Sequence, residues 1–367
     1  PSFQEELAGA VGNTICALAW TLPLVLLPGA VYFITVGHGY LGLLAGLVLM
    51  AILLGGPMEF HFRTVIFVIY MLAALSSPVE YRVSAKLASM CLLVMLAMIT
   101  ELPGRPKKFA KSPEFVRMIS ETLDARLYYK ATELRGELAQ IKPGKNLFCV
   151  HPHGILTVGW TWNMFWNFDF HKRTGRIGFF LDEGLRLKAP TFRLLCDWWE
   201  SDSRYAAPAT KKAMKASMDK GDSMALIPGG FQEATIFENG KERVYLKNRK
   251  GFVKYALQAG YKLTPVYTFG EYDCYWTFTP FLNFRLWLAQ NNIPAALMMG
   301  NPLCPLLPFR NVSIFTYVGP PIELPKIDEP TTEQIDEWHG KYMQALKDVF
   351  DKNKAEAGKP FATLEFW

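Results

Sequence analysis

No two of the six cysteines (Cys16, Cys91, Cys149, Cys196, Cys274 and Cys304) form a CxxC pair. That removes the support for a zinc ribbon or a dithiol redox centre, and wide spacing of this kind reads as reduced thiols on a cytosolic face. There is no GxSxG elbow: Gly221-Asp222-Ser223-Met224-Ala225 lacks the final glycine and falls at a strand entry. There is also no P-loop and no GxGxxG, which excludes both common glycine-loop phosphate cradles. Basic residues do not alternate with aromatics as in a recognised nucleic-acid module, so no nucleic-acid partner is expected. The net charge of +6 suits an anionic membrane surface or an anionic substrate instead. No internal repeat or low-complexity tract interrupts the 367 residues.

Charge is scarce over residues 14–100. Four apolar runs fill that region: Thr14 to Val36, Tyr40 to Leu54, Arg63 to Leu75 and Ala85 to Thr100. A membrane-spanning helix needs ~20 apolar residues. The first run meets that length, although Pro23 and Pro28 interrupt it, and the others are shorter. Re-entrant or tilted hairpins therefore stand beside four clean spans, with a buried helix bundle as the competing reading. Apolar segments continue long after the first, unlike a cleaved secretory leader. Arg105, Lys107, Lys108 and Lys111 follow the last run at once, and positive charge at that place marks the cytoplasmic side. We therefore expect a hydrophobic membrane-anchoring region over 1–100 and a cytosol-facing domain over 101–367.

The second region alternates strand and helix signals, which predicts an α/β domain with a mixed sheet flanked by helices. Phe115, Met118, Ile119, Leu123, Leu127 and Leu134 predict an amphipathic helix over 113–138. Strands are expected at Leu147–Val150, Arg176–Leu181, Ser223–Pro228, Lys262–Phe269 and Ser313–Val318, and helices at Ala189–Trp199, Ala207–Asp219, Lys247–Ala259 and Thr331–Lys354. The last has Thr331 or Thr332 as its cap and a buried stripe of Ile335, Trp338, Tyr342, Leu346 and Phe350.

Two strand ends carry the chemistry. His151-Pro152-His153-Gly154 follows an apolar strand, and ligands of open α/β sheets sit at the carboxyl ends of strands. Histidine suits proton transfer near neutral pH. The plain alternative is a surface turn, and a further rival is metal binding by the HxH pair, for which His171 is the only other histidine nearby. The second strand end is Pro228-Gly229-Gly230-Phe231-Gln232-Glu233. Glu233 is the candidate carboxylate for an imidazole, and Gly229 and Gly230 could turn backbone N–H groups toward a developing oxyanion. Read alone, Glu233 could equally be a turn residue. Lys241, Arg243, Lys247, Arg249, Lys250 and Lys254 form a basic run, either a solvated helix face or a site for the phosphates of coenzyme A. The aromatic stretch Trp160 to Phe168 reads first as packing and second as a wall for an acyl chain.

These blocks together resemble the type 2 diacylglycerol acyltransferase family, which includes monoacylglycerol and wax-alcohol acyltransferases. His151-Pro152-His153-Gly154 resembles the HPHG signature and Gly229 to Glu233 the GGxxE block. Arg249-Lys250-Gly251-Phe252, running on to Pro265-Val266-Tyr267-Thr268-Phe269-Gly270-Glu271, resembles the long RxGF…PVxxFGE block. Pro308-Phe309-Arg310, Val318-Gly319-Pro320-Pro321-Ile322 and the final helix are also similar. The aspartate that wider glycerolipid acyltransferases place five residues after a histidine is missing, since Leu156 and Val158 hold those positions. That leaves Glu233 as the partner.

The resemblance implies transfer of an acyl group from acyl-CoA, as co-substrate, to diacylglycerol, with no cofactor and no metal. A monoacylglycerol or fatty-alcohol acceptor, or a metal-dependent lipid hydrolase, are its rivals. His151, His153 and Glu233 are the expected catalytic residues; for the mechanism we expect one histidine, His153 before His151, to act as base and the other to orient the loop or substrate. Pro152, Gly154, Gly229, Gly230, Arg249, Gly251 and Phe252 are implied as substrate-binding. The expected setting is the endoplasmic reticulum membrane with the catalytic domain in the cytosol, and the lipid-droplet surface. Partners are the two substrates and the bilayer, with a homo-oligomer left open.

Overall fold

The structure is a computed structural model that describes residues 125–367, apart from 189, 292–294, 297 and 302–306. The four apolar runs, the basic cluster after them and the start of the 113–138 segment lie outside the described residues. Among the described residues, no helix is long and apolar enough to cross a membrane. The chain divides into two compact units. The described parts of the first are residues 125–183 and 199–367, and of the second residues 184–198.

In chain order the strands are β1 (Ala131–Gly136), β2 (Asn146–His151), β3 (Ile177–Leu181), β4 (Arg204–Pro208), β5 (Ser223–Leu226), β6 (Glu242–Val244), β7 (Lys262–Phe269), β8 (Trp276–Thr277), β9 (Met298–Met299), β10 (Ser313–Val318) and β11 (Leu364–Phe366). The helices are α1 (Phe168–Thr174), α2 (Glu183–Lys188), α3 (Pro190–Trp199), α4 (Lys211–Asp219), α5 (Gly230–Thr235), α6 (Gly251–Ala259), α7 (Leu282–Gln290) and α8 (Thr332–Asn353). A π-helical turn spans Trp160–Phe165. In the second unit, Arg186 donates to Asp197 at 2.8 Å and ties α2 to α3.

Seven strands form one sheet in the order β1-β10-β7-β2-β5-β3-β4. From β7 to β4 every neighbouring pair is parallel. β10 runs antiparallel to β7 and carries β1 parallel to itself, so the sheet is mixed as expected. The central strands are apolar on both sides because both faces are covered. Every residue of β2, β3 and β5 is buried. Side chains alternate across the sheet along β2. Leu147 and Cys149 join a core with Met214 and Met218 of α4, Val253 and Leu257 of α6, and Tyr342, Leu346 and Phe350 of α8. Phe148 points the other way, onto Phe170 of α1, with ring centroids 5.1 Å apart. The π-helical turn covers that second face through Phe165, which packs on Phe179 and stacks on Trp199.

α8 begins where its cap predicts. The Thr331 side chain accepts the Gln334 N–H and Gln334 reaches back to the Thr331 N–H, a complete capping box. Thr331→Ala should lower stability by ~1 kcal/mol, visible as a shifted denaturation midpoint at unchanged slope. The Tyr342 hydroxyl donates to the Cys149 carbonyl at 3.2 Å and pins the helix under the strand that ends in His151.

Two predicted elements are corrected. The helix expected over 113–138 is, in its described part, a 3-10 turn at Ala125–Tyr128 followed by β1. Helical spacing of Leu127 and Leu134 is a local signal. The open edge of β10 offers backbone partners from Ala131↔Ser313 to Gly136↔Val318, and that pairing wins. The helix expected from Ala207 begins only at Lys211, capped by Thr210, because Arg204–Pro208 pairs with β3 as an edge strand. An edge tolerates Pro208, which has no N–H to give.

Candidate active site

Strand order alone assembles the site. β5, β2 and β7 lie side by side and parallel, so their carboxyl ends open on one edge of the sheet. Cys149 pairs with Leu226 on one side of β2, and His151 with Tyr267 on the other. The loops that leave these strands carry His151–Gly154, Gly229–Glu233 and Gly270–Glu271.

His151 is the last residue of β2 and is fully buried. The His151–Pro152 peptide is cis. Glu233, also fully buried, lies in the short helix α5 that follows the glycine pair. The helix folds close enough that a Cβ on Gly229 would come 2.1 Å from Glu233 Oε2, so glycine is required there. Three donors converge on this carboxylate. The His151 Nδ1–H points at Oε1 and Oε2 from 3.2 and 3.3 Å. The His153 backbone N–H gives to Oε1 at 2.7 Å, and the Tyr245 N–H to Oε2 at 2.8 Å. A carboxylate only accepts, so Nδ1 of His151 carries the proton and Nε2 holds the lone pair. That Nε2 is buried with no hydrogen-bond partner among the described residues.

His153 is placed differently. It is partly exposed, the more accessible of the two imidazoles. Its Nδ1–H donates to the Gly154 carbonyl at 3.0 Å, which again leaves Nε2 as the basic nitrogen. Burial holds its pKa below the usual imidazole value, while the Gly154 carbonyl and then the charge of Glu233 pull it upward. The ring is therefore neutral near pH 7 and able to take a proton. Glu233 was expected to hold the charged imidazole of His153 directly. The carboxylate instead bonds the ring of His151 and only the backbone of His153, which stands two residues further on, in the loop beyond the end of β2.

The remaining predicted positions fall in three groups. Pro152 and Gly154 are buried in the histidine loop. The Gly230 N–H is already given to the Ile227 carbonyl at 3.3 Å, whereas Gly229 sits beside Glu233. Arg249 bonds the Gln232 side chain of the same Gly-Gly block and lies over the Tyr245 ring, while its Nε is buried without a partner among the described residues. Gly251 opens α6 and is exposed. Phe252 lies in the core, edge-on to Tyr342 and His339.

The basic run is largely consumed within the fold. Lys241 and Arg243 pair with Glu238, Arg243 also with Glu365, and Lys250 with Asp336. Lys247 and Lys254 are exposed, with no ion-pair partner among the described residues. No group of three or more metal-ligating side chains occurs among the described residues. His171, the remaining nearby histidine, donates its Nε2–H to the Met164 carbonyl at 2.9 Å and packs among Phe168, Phe170, Phe179 and Trp199.

Sequence reasoning missed two participants. Tyr245 contributes through its backbone, which no side-chain pattern reveals. Glu271 was visible as a carboxylate at a strand end, in the same position relative to β7 that His153 has to β2, yet it was read only as part of a motif.

The fold and site define an α/β protein with a buried imidazole–carboxylate pair, and a second, accessible imidazole, at the carboxyl edge of its sheet. The diacylglycerol acyltransferase family model matches residues 83–366, and the chain belongs to that family. Diacylglycerol O-acyltransferase 2 of Dictyostelium discoideum is 34% identical over 230 residues, covering 58% of this chain and 67% of the relative. Diacylglycerol O-acyltransferase 2 of Homo sapiens is 31% identical over 235 residues, 58% of each chain. Diacylglycerol O-acyltransferase 2-like protein 6 of Mus musculus is 36% identical over 154 residues, 38% of this chain and 45% of the relative. The chain thus spans from 45% to 67% of the length of these curated relatives.

Proposed function

We propose that the protein transfers an acyl group from acyl-CoA to the free hydroxyl of diacylglycerol and so makes triacylglycerol. The observation that carries this reading is the convergence of His151, His153 and Glu233 at one strand edge, in a chain of the diacylglycerol acyltransferase family. His153 Nε2 takes the hydroxyl proton as the oxygen attacks the thioester carbonyl. The tetrahedral oxyanion is held by backbone N–H groups at Gly154 and Gly229. The C–S bond then breaks, and coenzyme A leaves as a thiolate that recovers the proton from His153. A thiol of pKa ~8.5 leaves readily, so neither an acyl-enzyme nor a metal is required. Glu233 supports the imidazolium of His153 by its charge and fixes the loop through the His151 ring and the His153 backbone. Pro152 shapes that loop, Arg249 sits where a phosphate could be met, and Gly230 and Gly251 allow close approach. Phe252 serves by packing.

Diacylglycerol is a bilayer solute and acyl-CoA comes from water, so an interfacial site suits the reaction. Residues 1–100 are the proposed anchor in the endoplasmic reticulum membrane, with 101–367 in the cytosol or at a lipid-droplet surface. The test uses membranes of a triacylglycerol-deficient host expressing this chain. They receive labelled acyl-CoA with diacylglycerol, monoacylglycerol or a long-chain alcohol. Labelled triacylglycerol as the main product is expected. Preferential product from another acceptor would overturn the diacylglycerol assignment, and chelator-sensitive release of free fatty acid would point to hydrolysis.

A further inference from the structure

The third loop of the edge ends in a carboxyl group that the proposed reaction does not use. Glu271 follows β7 directly after Gly270 and is 1% exposed. Its Oε1 accepts the Gly159 N–H at 2.5 Å, and the carboxyl also receives the Val158 N–H. These are the residues that lead from the histidine loop into the π-helical turn at Trp160. Its Oε2 is buried, has no hydrogen-bond partner among the described residues, and lies 2.4 Å from where a Cβ on Gly154 would stand. Gly154, at φ +60°, is therefore required twice, by its backbone and by this neighbour. One carboxyl group thus touches the loop at Gly154 and holds its exit at Gly159.

We propose that Glu271 is a positioning residue for the acyl transfer, a buried carboxyl group that holds the histidine loop at Gly154 against the helix that follows it at Gly159. The proposal rests on the acyl-transfer reading above. No cation pairs with Glu271 among the described residues. The titratable groups that feel its charge are Tyr129, before β1, and Cys274 on its own turn, and burial pushes both upward, so both are neutral. Asp273, in the same turn, is occupied by Lys359 at 2.8 Å. The two backbone N–H groups favour the anion, but burial outweighs them and pushes the Glu271 carboxyl up to about 8. Below that pH the group stays neutral in the fold. Above it a charge appears in a dry site beside Gly154, and the loop must open to hydrate it.

Three measurements on the full chain in detergent decide this. The infrared difference between wild type and Glu271→Gln should show a protonated carboxyl band at neutral pH that disappears as pH rises through about 8. Activity of the wild type should fall along the same limb. Glu271→Gln, which keeps an acceptor for Gly159, should stay within a few-fold of wild type at pH 7 and lose that limb. Glu271→Leu, which accepts nothing, should lose on the order of 10²-fold in kcat with little change in KM. A missing carboxyl band at pH 7, or an unaltered alkaline limb in the Gln variant, would overturn the proposal. The infrared readout needs no turnover, so it separates failure of this assignment from failure of the acyl-transfer reading.

Discussion

Replacing His153 by alanine should reduce turnover by ~10²–10⁴-fold, the usual worth of a general base, while the protein still folds. The fold should survive because the side chain is partly exposed and its one bond is to the neighbouring Gly154 carbonyl. The backbone N–H that binds Glu233 remains in the variant. The measurement is release of coenzyme A with saturating diacylglycerol, paired with thermal unfolding of the same preparation. A free imidazole base must be deprotonated to act, so activity falls as pH drops through its pKa. Burial depresses that pKa, so the acid limb of kcat/KM should lie below the ordinary imidazole value of ~6.5. If His153→Ala kept most of its turnover, the base would have to be His151. Its Nε2 also holds a lone pair, but within a fully buried ring.

The second large effect is expected at Glu233, and it falls on stability as well as rate. Glu233→Ala strands three buried donors at once: the His151 Nδ1–H, the His153 N–H and the Tyr245 N–H. Removing the acceptor costs ~1–3 kcal/mol for each donor left behind, because these groups are buried and unpaired. Chemical denaturation should show a loss of that size, and activity should fall along with it. Glu233→Gln keeps the shape but sets its NH2 against one of the two backbone N–H donors. It should recover part of the stability and little of the activity. A Gln variant with wild-type turnover would show that the negative charge is not needed. Comparing the two profiles separates His153, whose loss is felt in rate, from Glu233, whose loss is felt in both.

Much of the fold was legible because its signals are local. β7 and β10 were predicted residue for residue, since continuous apolar runs bounded by Gly270 and by Gly319 can be read without knowing their neighbours. The cap and stripe of α8 were equally plain, although Val349 and His339 join its buried face while Ile335 and Trp338 are only partly covered. β1, β4 and β6 were not legible. Each is stabilised by a partner distant in sequence, and β1 even carries helical spacing.

The site divides in the same way. Residue types and strand-end placement offered His151, His153 and Glu233 as one group, because proton transfer needs an imidazole and an imidazolium needs a carboxylate, and the family resemblance singled out Glu233 as the partner. Only the tertiary structure decided which atoms meet. His151 and Glu233 are separated by 82 residues and are joined because β5 lies next to β2. Glu271 reaches Gly154 and Gly159 only because β7 lies on the other side. Periodicity is set within a few residues of chain, whereas strand order is set by how whole faces are buried. The carboxylate bonded to His151 and the buried carboxyl group beside the loop therefore became visible only in the folded sheet.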